Sequence, residues 1–355
     1  MSWNERKLTI AALLLISSSA LAQSADVQAD QQAYCDYLSE QAMAQRDLLR
    51  MPSAVAGISQ PTEALPMQAV WGVSSSLSDL KKAGLTMDVA RKNCDLYGAT
   101  TSVQQDIQYA VPNLEKQALQ HRLDLIQQAS EKLDALTTQM NKLLVAQNVT
   151  RPMLFSLETT RIKLDADRAD TQSKIAALYA PESGDPPIKA LVAQKQADEV
   201  AEQQAVDKLN RQNNWDVALT FGGRQQINPL DNRGLYGSVT VSYNLGSHAI
   251  DKHLDKTASA YANWKTVQQG DVIKNAENLK KQITDGIAAQ QSRLKSLQDE
   301  QNQVNANLQL VSQVDTSAAL DFRNQLAGTQ LLLDVDSGDA TFRLEELQDF
   351  LERNF

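Results

Sequence analysis

Apolar residues recur along this chain with two different periods, and the changes of period divide it into elements. From about Ala25 to Leu49 the spacing predicts a short helix, which Met51-Pro52 ends. Ala54 to Ile58 reads as a short strand, and Ser59 to Pro66, with two prolines, as a loop. Then the period becomes two. Met67, Ala69, Trp71, Val73 and Leu77 fall on one face, and Gln68, Gly72, Ser74 and Ser76 on the other, which predicts a strand with unlike faces. From about Asp79 to Gln147 the steps lengthen to three and four residues. Leu119, Leu123, Ile126, Ala129, Leu133, Leu136, Met140 and Leu143 form a coiled-coil-like seam, with Pro112 expected to kink or briefly break the helix. A helix of roughly 68 residues rising about 1.5 Å per residue is about 100 Å long, taller than a compact domain.

Asn148 to Pro152 reads as a sharp turn into a second long helix with Leu154, Leu157, Leu164, Ile175 and Leu178 among its apolar positions. Pro181 to Pro187 interrupts it, and helix resumes from about Ile188 to Asn210. Alternation then returns. Trp215, Val217, Leu219 and Phe221 alternate with Asp216, Ala218, Thr220 and Gly222; a polar loop runs from Gln225 to Arg233; and Leu235, Val239, Val241, Tyr243 and Leu245 mark the next strand. After Ser247 another long helix is seamed by Leu254, Leu279, Ile283, Ile287, Leu294, Leu297, Val304 and Leu308. A turn near Val314 to Ser317 leads to a last helix ending at Phe355.

The order strand pair, long helix, turn, helix thus occurs twice. Val73-Ser74-Ser75-Ser76-Leu77 matches Val241-Ser242-Tyr243-Asn244-Leu245 at an offset of 168. Leu164-Asp165-Ala166-Asp167 matches Leu333-Asp334-Val335-Asp336 at 169, and Asp170 then matches Asp339. A nearly constant offset in separate segments is the mark of an internal repeat. It divides the chain into a leader at 1–22, a first structural repeat at 23–212 and a second at 213–355. The strands are about ten residues long, the length of a tilted strand crossing a bilayer. Membrane strands must close into a barrel, and four are too few, so several chains would share one. Three chains would give twelve strands, an even number within the usual range. The alternative is a small soluble sheet capping a coiled coil.

Composition sharpens this picture. Aromatic residues are 5% of the chain, fewer than a thick globular core uses, and Gly and Pro are sparse. The 34 basic and 43 acidic residues give a net charge of −9, and no basic patch with interleaved aromatics suggests nucleic acid as a partner. Arg6 and Lys7, the apolar run from Leu8 to Ile16 and Ala20-Leu21-Ala22 have the form of a secretory signal with cleavage expected after Ala22. No later apolar run is long enough for a membrane-spanning helix. The two cysteines, Cys35 and Cys94, form an even count in a chain expected to be exported, which points to a disulfide, with two buried thiols as the alternative.

In its order of elements the chain resembles the TolC-like outer-membrane factor family over nearly the whole mature length. Ala69 to Asp79 and Val239 to Ser247 resemble the family's strand entering a long helix, and Lys142 to Pro152 resembles its periplasmic helix turn. The resemblance implies a fold that is mainly α with a small β part: a tandem-repeat protomer of a trimeric outer-membrane β-barrel continued by a long periplasmic α-helical barrel. It implies a passive export duct that docks on a periplasmic adaptor and an inner-membrane pump, with small molecules, protein or polysaccharide as cargo. Asn148, Val149, Thr150, Arg151 and Pro152 become the candidate adaptor contact. The family's equatorial additions are reduced here to Pro181 to Pro187. Cys35 and Cys94 would reach similar depth below the barrel and clamp the first helix to the long one.

No catalytic, cofactor-binding or metal constellation accompanies this architecture, so an enzyme is not expected. His248 and His253 are five apart, which does not put both on one helical face, and no Gly-rich phosphate loop or Gly-x-Ser-x-Gly elbow occurs. In the family, acidic residues near the second helical turn ring the closed periplasmic end. Asp321 and Asn324 occupy the comparable place, with Asp315 at the turn itself, and Arg323 could pair across helices. The family pattern has two acids three residues apart; Asn324 in place of one would halve the ring's charge. The runner-up reading is a periplasmic coiled-coil adaptor or spacer that forms no channel.

Overall fold

The computed structural model describes residues 29–59, 67–145, 151–180, 186–227, 233–243, 253, 256, 260–261, 271–314 and 316–355. The chain is mainly helical with one small antiparallel sheet. Its elements are a helix at 29–50 (α1), strands β1 (Ser53–Ser59) and β2 (Gln68–Ser76), α2 (Leu77–Val145), a short 3-10 turn (Arg151–Leu154), α3 (Phe155–Ala177), α4 (Ile188–Arg211), β3 (Trp215–Gln226), β4 (Arg233–Tyr243), α5 (Val272–Ser312) and α6 (Ser317–Asn354). By their contacts they form two units, one from Ala25–Val103 with Ala190–Val272 and one from Gln104–Lys189 with Ile273–Phe355.

The first unit holds the sheet, ordered β1-β2-β3-β4 with every neighbouring pair antiparallel. β2 passes into α2 with no intervening residue. Ser76 makes that junction by capping the helix, its Oγ accepting from the Asp79 backbone N–H at 3.0 Å. Ser76 and Ser78 in turn donate to Asp216 Oδ1 on β3, at 2.5 and 2.6 Å, so the start of α2 is tied to the sheet and carries an acid beside its N-terminus. α1 lies along α2, where Ala42 is buried, Tyr34 stacks on Tyr97 with ring centres 4.2 Å apart, and Tyr97 donates to Asp30. Between α4 and the residue before α5, buried Lys195 pairs with Glu199 at 2.9 Å and Asp271 at 3.2 Å.

The second unit is a helical bundle. Its larger core joins Ile126, Ala129, Leu133 and Met140 of α2 to Leu157 and Leu164 of α3 and to Leu331 and Val335 of α6. A smaller cluster joins Val304 of α5 to Leu326 and Leu333 of α6. The seam predicted for α2 is therefore the buried one. Gly328 of α6 lets α3 approach closely, since any Cβ there would run into the Thr160 hydroxyl. Thr316 caps α6, its side chain accepting from the Ala319 N–H at 3.2 Å.

Three expectations need correction. Pro112 does not break α2, which is one helix of 69 residues. Proline removes a single ladder hydrogen bond, and the packed residues on either side, Ala110 and Ala118, hold the flanking turns in place. β3 continues to Gln226, past the point where the loop was expected to begin, because Gln225 and Gln226 still pair with Ala69 and Gln68. The second long helix stops at Ala177, and Leu178 is extended with ψ 119°. The signal segment and the Pro181 to Asp185 interruption lie outside the described residues. So does most of the segment from Ser247 to Gly270, where the last long helix pair was expected to begin.

Candidate functional site

The sheet is inverted relative to a soluble one. Residues paired across antiparallel strands share a face. The registers Ala54↔Val73↔Phe221↔Gly237, Ala56↔Trp71↔Gly223↔Leu235 and Val217↔Val241 therefore gather one apolar face, which Leu219↔Val239 and Trp215↔Tyr243 extend. The opposite face carries Gln68, Ser74, Ser76, Thr220, Arg224, Ser238 and Thr240 among small residues and glycine. The apolar side is the open one. Phe221 is 61% exposed and Val239 68%, while Gln68 on the polar side is 7% exposed. A sheet in water hides its apolar face and wets its polar one; here the apolar face is open, while the polar face is half-buried over most of β2 and β3 and exposed at Arg224 and along β4 at Ser238 and Thr240. At the centre Gly72 pairs with Gly222, and a Cβ on either would run into the partner strand's backbone. Only glycine permits that spacing.

The described strands leave two edges, at β1 and β4. β2, β3 and β4 have 9, 12 and 11 residues, close to the length of a tilted strand crossing hydrocarbon. Among the described residues no helix is long and apolar enough to cross a membrane.

The predicted disulfide is present. Cys35 of α1 and Cys94 of α2 are bonded, with Cα atoms 5.1 Å apart, and they close a separation of 59 residues. The predicted gate region lies at the start of α6. Asp321 is partly exposed and accepts from Gln325 Nε2 at 3.2 Å. Asn324 is buried, and Asp315 lies outside the described residues. The Arg323 guanidinium donates to the carbonyls of Val311, at 3.0 Å, and Val314. Val311 lies in the last turn of α5, where its carbonyl also accepts from the Val314 N–H at 3.1 Å, so Arg323 braces the exit from that helix. Of the candidate turn, Arg151 and Pro152 fall in the 3-10 turn before α3, and Asn148, Val149 and Thr150 lie outside the described residues. His121 stacks on Phe342 at 4.1 Å, and among the described residues no group of acids, cysteines and histidines could hold a metal ion.

Sequence reasoning missed a cluster of charges inside the helical bundle. Arg122 of α2 grips Asp167 of α3 with two hydrogen bonds, 2.7 and 3.1 Å, and reaches Asp336 at 3.0 Å and Asp339 at 3.3 Å on α6. Arg293 of α5 lies 3.5 Å from both Asp336 and Asp339. Arg343 pairs with Asp339 at 3.0 Å and with Glu115 through both guanidinium ends. Asp339, with a side chain 3% exposed, thus accepts from three arginines. Burial works against the charge on Arg122, but hydrogen bonds and charges from Asp167 and Asp336 more than offset it, so its pKa is raised and it stays protonated. The helix spacing carried a signal. Asp167 and Asp336 stand three residues after the buried Leu164 and Leu333, and so on the inward face.

A scan against protein-family models finds no match, and a search of curated proteins finds none. Solved structures do match, over almost the whole chain. A membrane protein from Pseudomonas aeruginosa aligns at 14% identity and a TM-score of 0.48, covering 96% of this chain and 92% of its own. The outer membrane protein VceC from Vibrio cholerae aligns at 13% and 0.42, covering 97% of each chain. The open state of the MtrE outer membrane channel from Neisseria gonorrhoeae aligns at 11% and 0.43, covering 96% and 90%. Each is a likeness of form to this chain.

Proposed function

We propose that this chain is one protomer of an outer-membrane export duct of the TolC-like kind, a passive channel and not an enzyme. The observation that carries this reading is the open apolar face of the sheet, on which Trp71, Val73, Phe221, Leu235, Val239 and Val241 are all exposed, with the polar residues gathered on the other side. Hydrocarbon is the solvent that rewards such a face, and water inside a barrel rewards the other. The edges of β1 and β4 cannot stay unpaired in lipid, where each orphaned backbone group costs several kcal/mol. Pairing β4 of one copy with β1 of the next satisfies both, and three copies make the twelve strands of a barrel of ordinary size.

In this reading the segments 23–212 and 213–355 are the two structural repeats, and residues 1–22 the export signal. The helices line the periplasmic part of the duct. Residues 148–152 meet a periplasmic adaptor that couples the duct to an inner-membrane pump. Asp315, Asp321 and Asn324 stand near its constriction, where the two aspartates supply the charge. A periplasmic spacer, the competing reading, has no use for Phe221, Val239 and Val241 facing outward.

The test uses protein reconstituted in brominated phospholipid, with tryptophan retained at Trp71 or at Trp215 alone. Both stand on the apolar face, so bromine quenching should exceed that of free tryptophan in water severalfold. Quenching no stronger than for a water-exposed residue overturns the reading.

A further inference from the structure

The polar face of the sheet is nearly uncharged, and where it is charged the two signs are kept apart. Its described residues are mostly serine, threonine, glutamine, glycine and alanine. Two of them carry acidic or basic side chains. Asp216 stands at the helix end of β3, held by the Ser76 and Ser78 hydroxyls. Arg224 stands near the loop end, exposed, with no ion pair among the described residues. Eight residues of strand separate them, about 27 Å at roughly 3.4 Å per residue. That exceeds the Debye length of about 8 Å at physiological salt severalfold, so neither charge cancels the other's field in the water between.

On the reading that this face lines a barrel shared by several copies, we infer that Arg224 is the residue that sets charge selectivity at the loop-end mouth of the duct. Symmetry repeats the guanidinium around the mouth as a cationic ring. Such a ring concentrates anions, and the duct therefore admits anionic solutes at this end in preference to cations. The neutral hydroxyl-lined wall beyond it adds no competing charge until Asp216. Gln225 provides an internal control. It is the next residue, but its pairing with Ala69 puts it on the apolar face, so a charge there stands outside the lumen.

The experiment is the reversal potential of single channels in planar bilayers under a potassium chloride gradient, with about 20 mM salt on the loop side. The low salt stretches the Debye length to about 20 Å, enough for a ring to act across its own opening. Wild type should favour chloride when the loop side is the dilute side. Arg224→Gln should lower the chloride-to-potassium permeability ratio on the order of threefold, Arg224→Glu should lower it further, and Gln225→Glu should leave it at the wild-type value. Conducting channels whose ratio is the same in wild type, Arg224→Gln and Arg224→Glu overturn the inference while leaving the duct intact. A ratio moved equally by Gln225→Glu overturns it too, because the face assignment would be wrong. Wild-type protein that never conducts sinks the duct reading, and this inference with it.

Discussion

Replacing Arg122 with alanine removes the hub of the charge cluster inside the helical bundle. The cluster holds three cations, Arg122, Arg293 and Arg343, against four acids, Glu115, Asp167, Asp336 and Asp339. Without Arg122 it holds two against four. Asp167 then keeps only a long bond from the Thr171 hydroxyl at 3.4 Å, and Asp336 only Arg293 at 3.5 Å. The Arg122 side chain is 17% exposed, so water compensates little. Breaking a buried ionic network by removing one partner costs about 3–5 kcal/mol. Alanine is the best helix former, so backbone propensity works against this cost and cannot explain it. At about 2–4 °C per kcal/mol for a domain of this size, loss of helical circular dichroism should begin about 10 °C earlier. Asp339→Ala should cost less, because three cations against three acids remain. The double variant should cost less than the sum, because both substitutions act on one network. Asp170→Ala is the control: it is an acid on the same helix as Asp167, but its side chain is 59% exposed and pairs with Lys174, so its effect should be a few tenths of a kcal/mol. If Arg122→Ala melts no earlier than Asp170→Ala, the cluster is not what holds these helices together.

Further expectations follow from other parts of the molecule. Reducing the Cys35–Cys94 bond, or replacing both cysteines with serine, should cost about 4 kcal/mol on the chain-entropy estimate and expose the helix at 29–50 to protease; equal digestion with and without reductant would contradict it. Gly222→Val should prevent β2 and β3 from pairing and abolish assembly into a heat-sensitive oligomer on gels; a normally assembled variant would show that the close approach at Gly72 is not required. Burial raises the pKa of Asp106, so its protonated form suits the fold, and its contribution is complete below the ordinary aspartate value and lost as pH rises through the raised one. Asp106→Asn should therefore stabilise the protein at neutral pH and remove the decline in stability just above the usual aspartate range; an unchanged pH profile of thermal melting refutes this. Asp321→Ala should raise conductance in planar bilayers, and unchanged conductance would remove Asp321 from the constriction.

The elements were legible wherever a period was long. The α2 seam from Leu119 to Met140, the alternation at Trp71 and Val73, and the turn before Ser317 all follow from which side chains must meet water and which must not. The cysteine pair was legible from number and context. The charge cluster was not, because its members come from four helices and Arg122 is 214 residues from Asp336. Sequence spacing says which residues share a helix face but not which faces meet. The break allowed for at Pro112 is absent, because one missing hydrogen bond is small beside the packing of a long helix. Asn324 illustrates the same limit: helix periodicity located it near Asp321, but only packing against neighbouring helices determines that it is buried.

The most direct test of the shared barrel is the native mass of the full chain recovered from membranes. The account predicts that the protein stays in the outer-membrane fraction through salt and carbonate washes, enters solution only with mild detergent, and there has the mass of three copies that heat separates. A monomer or dimer released by washing without detergent would contradict it.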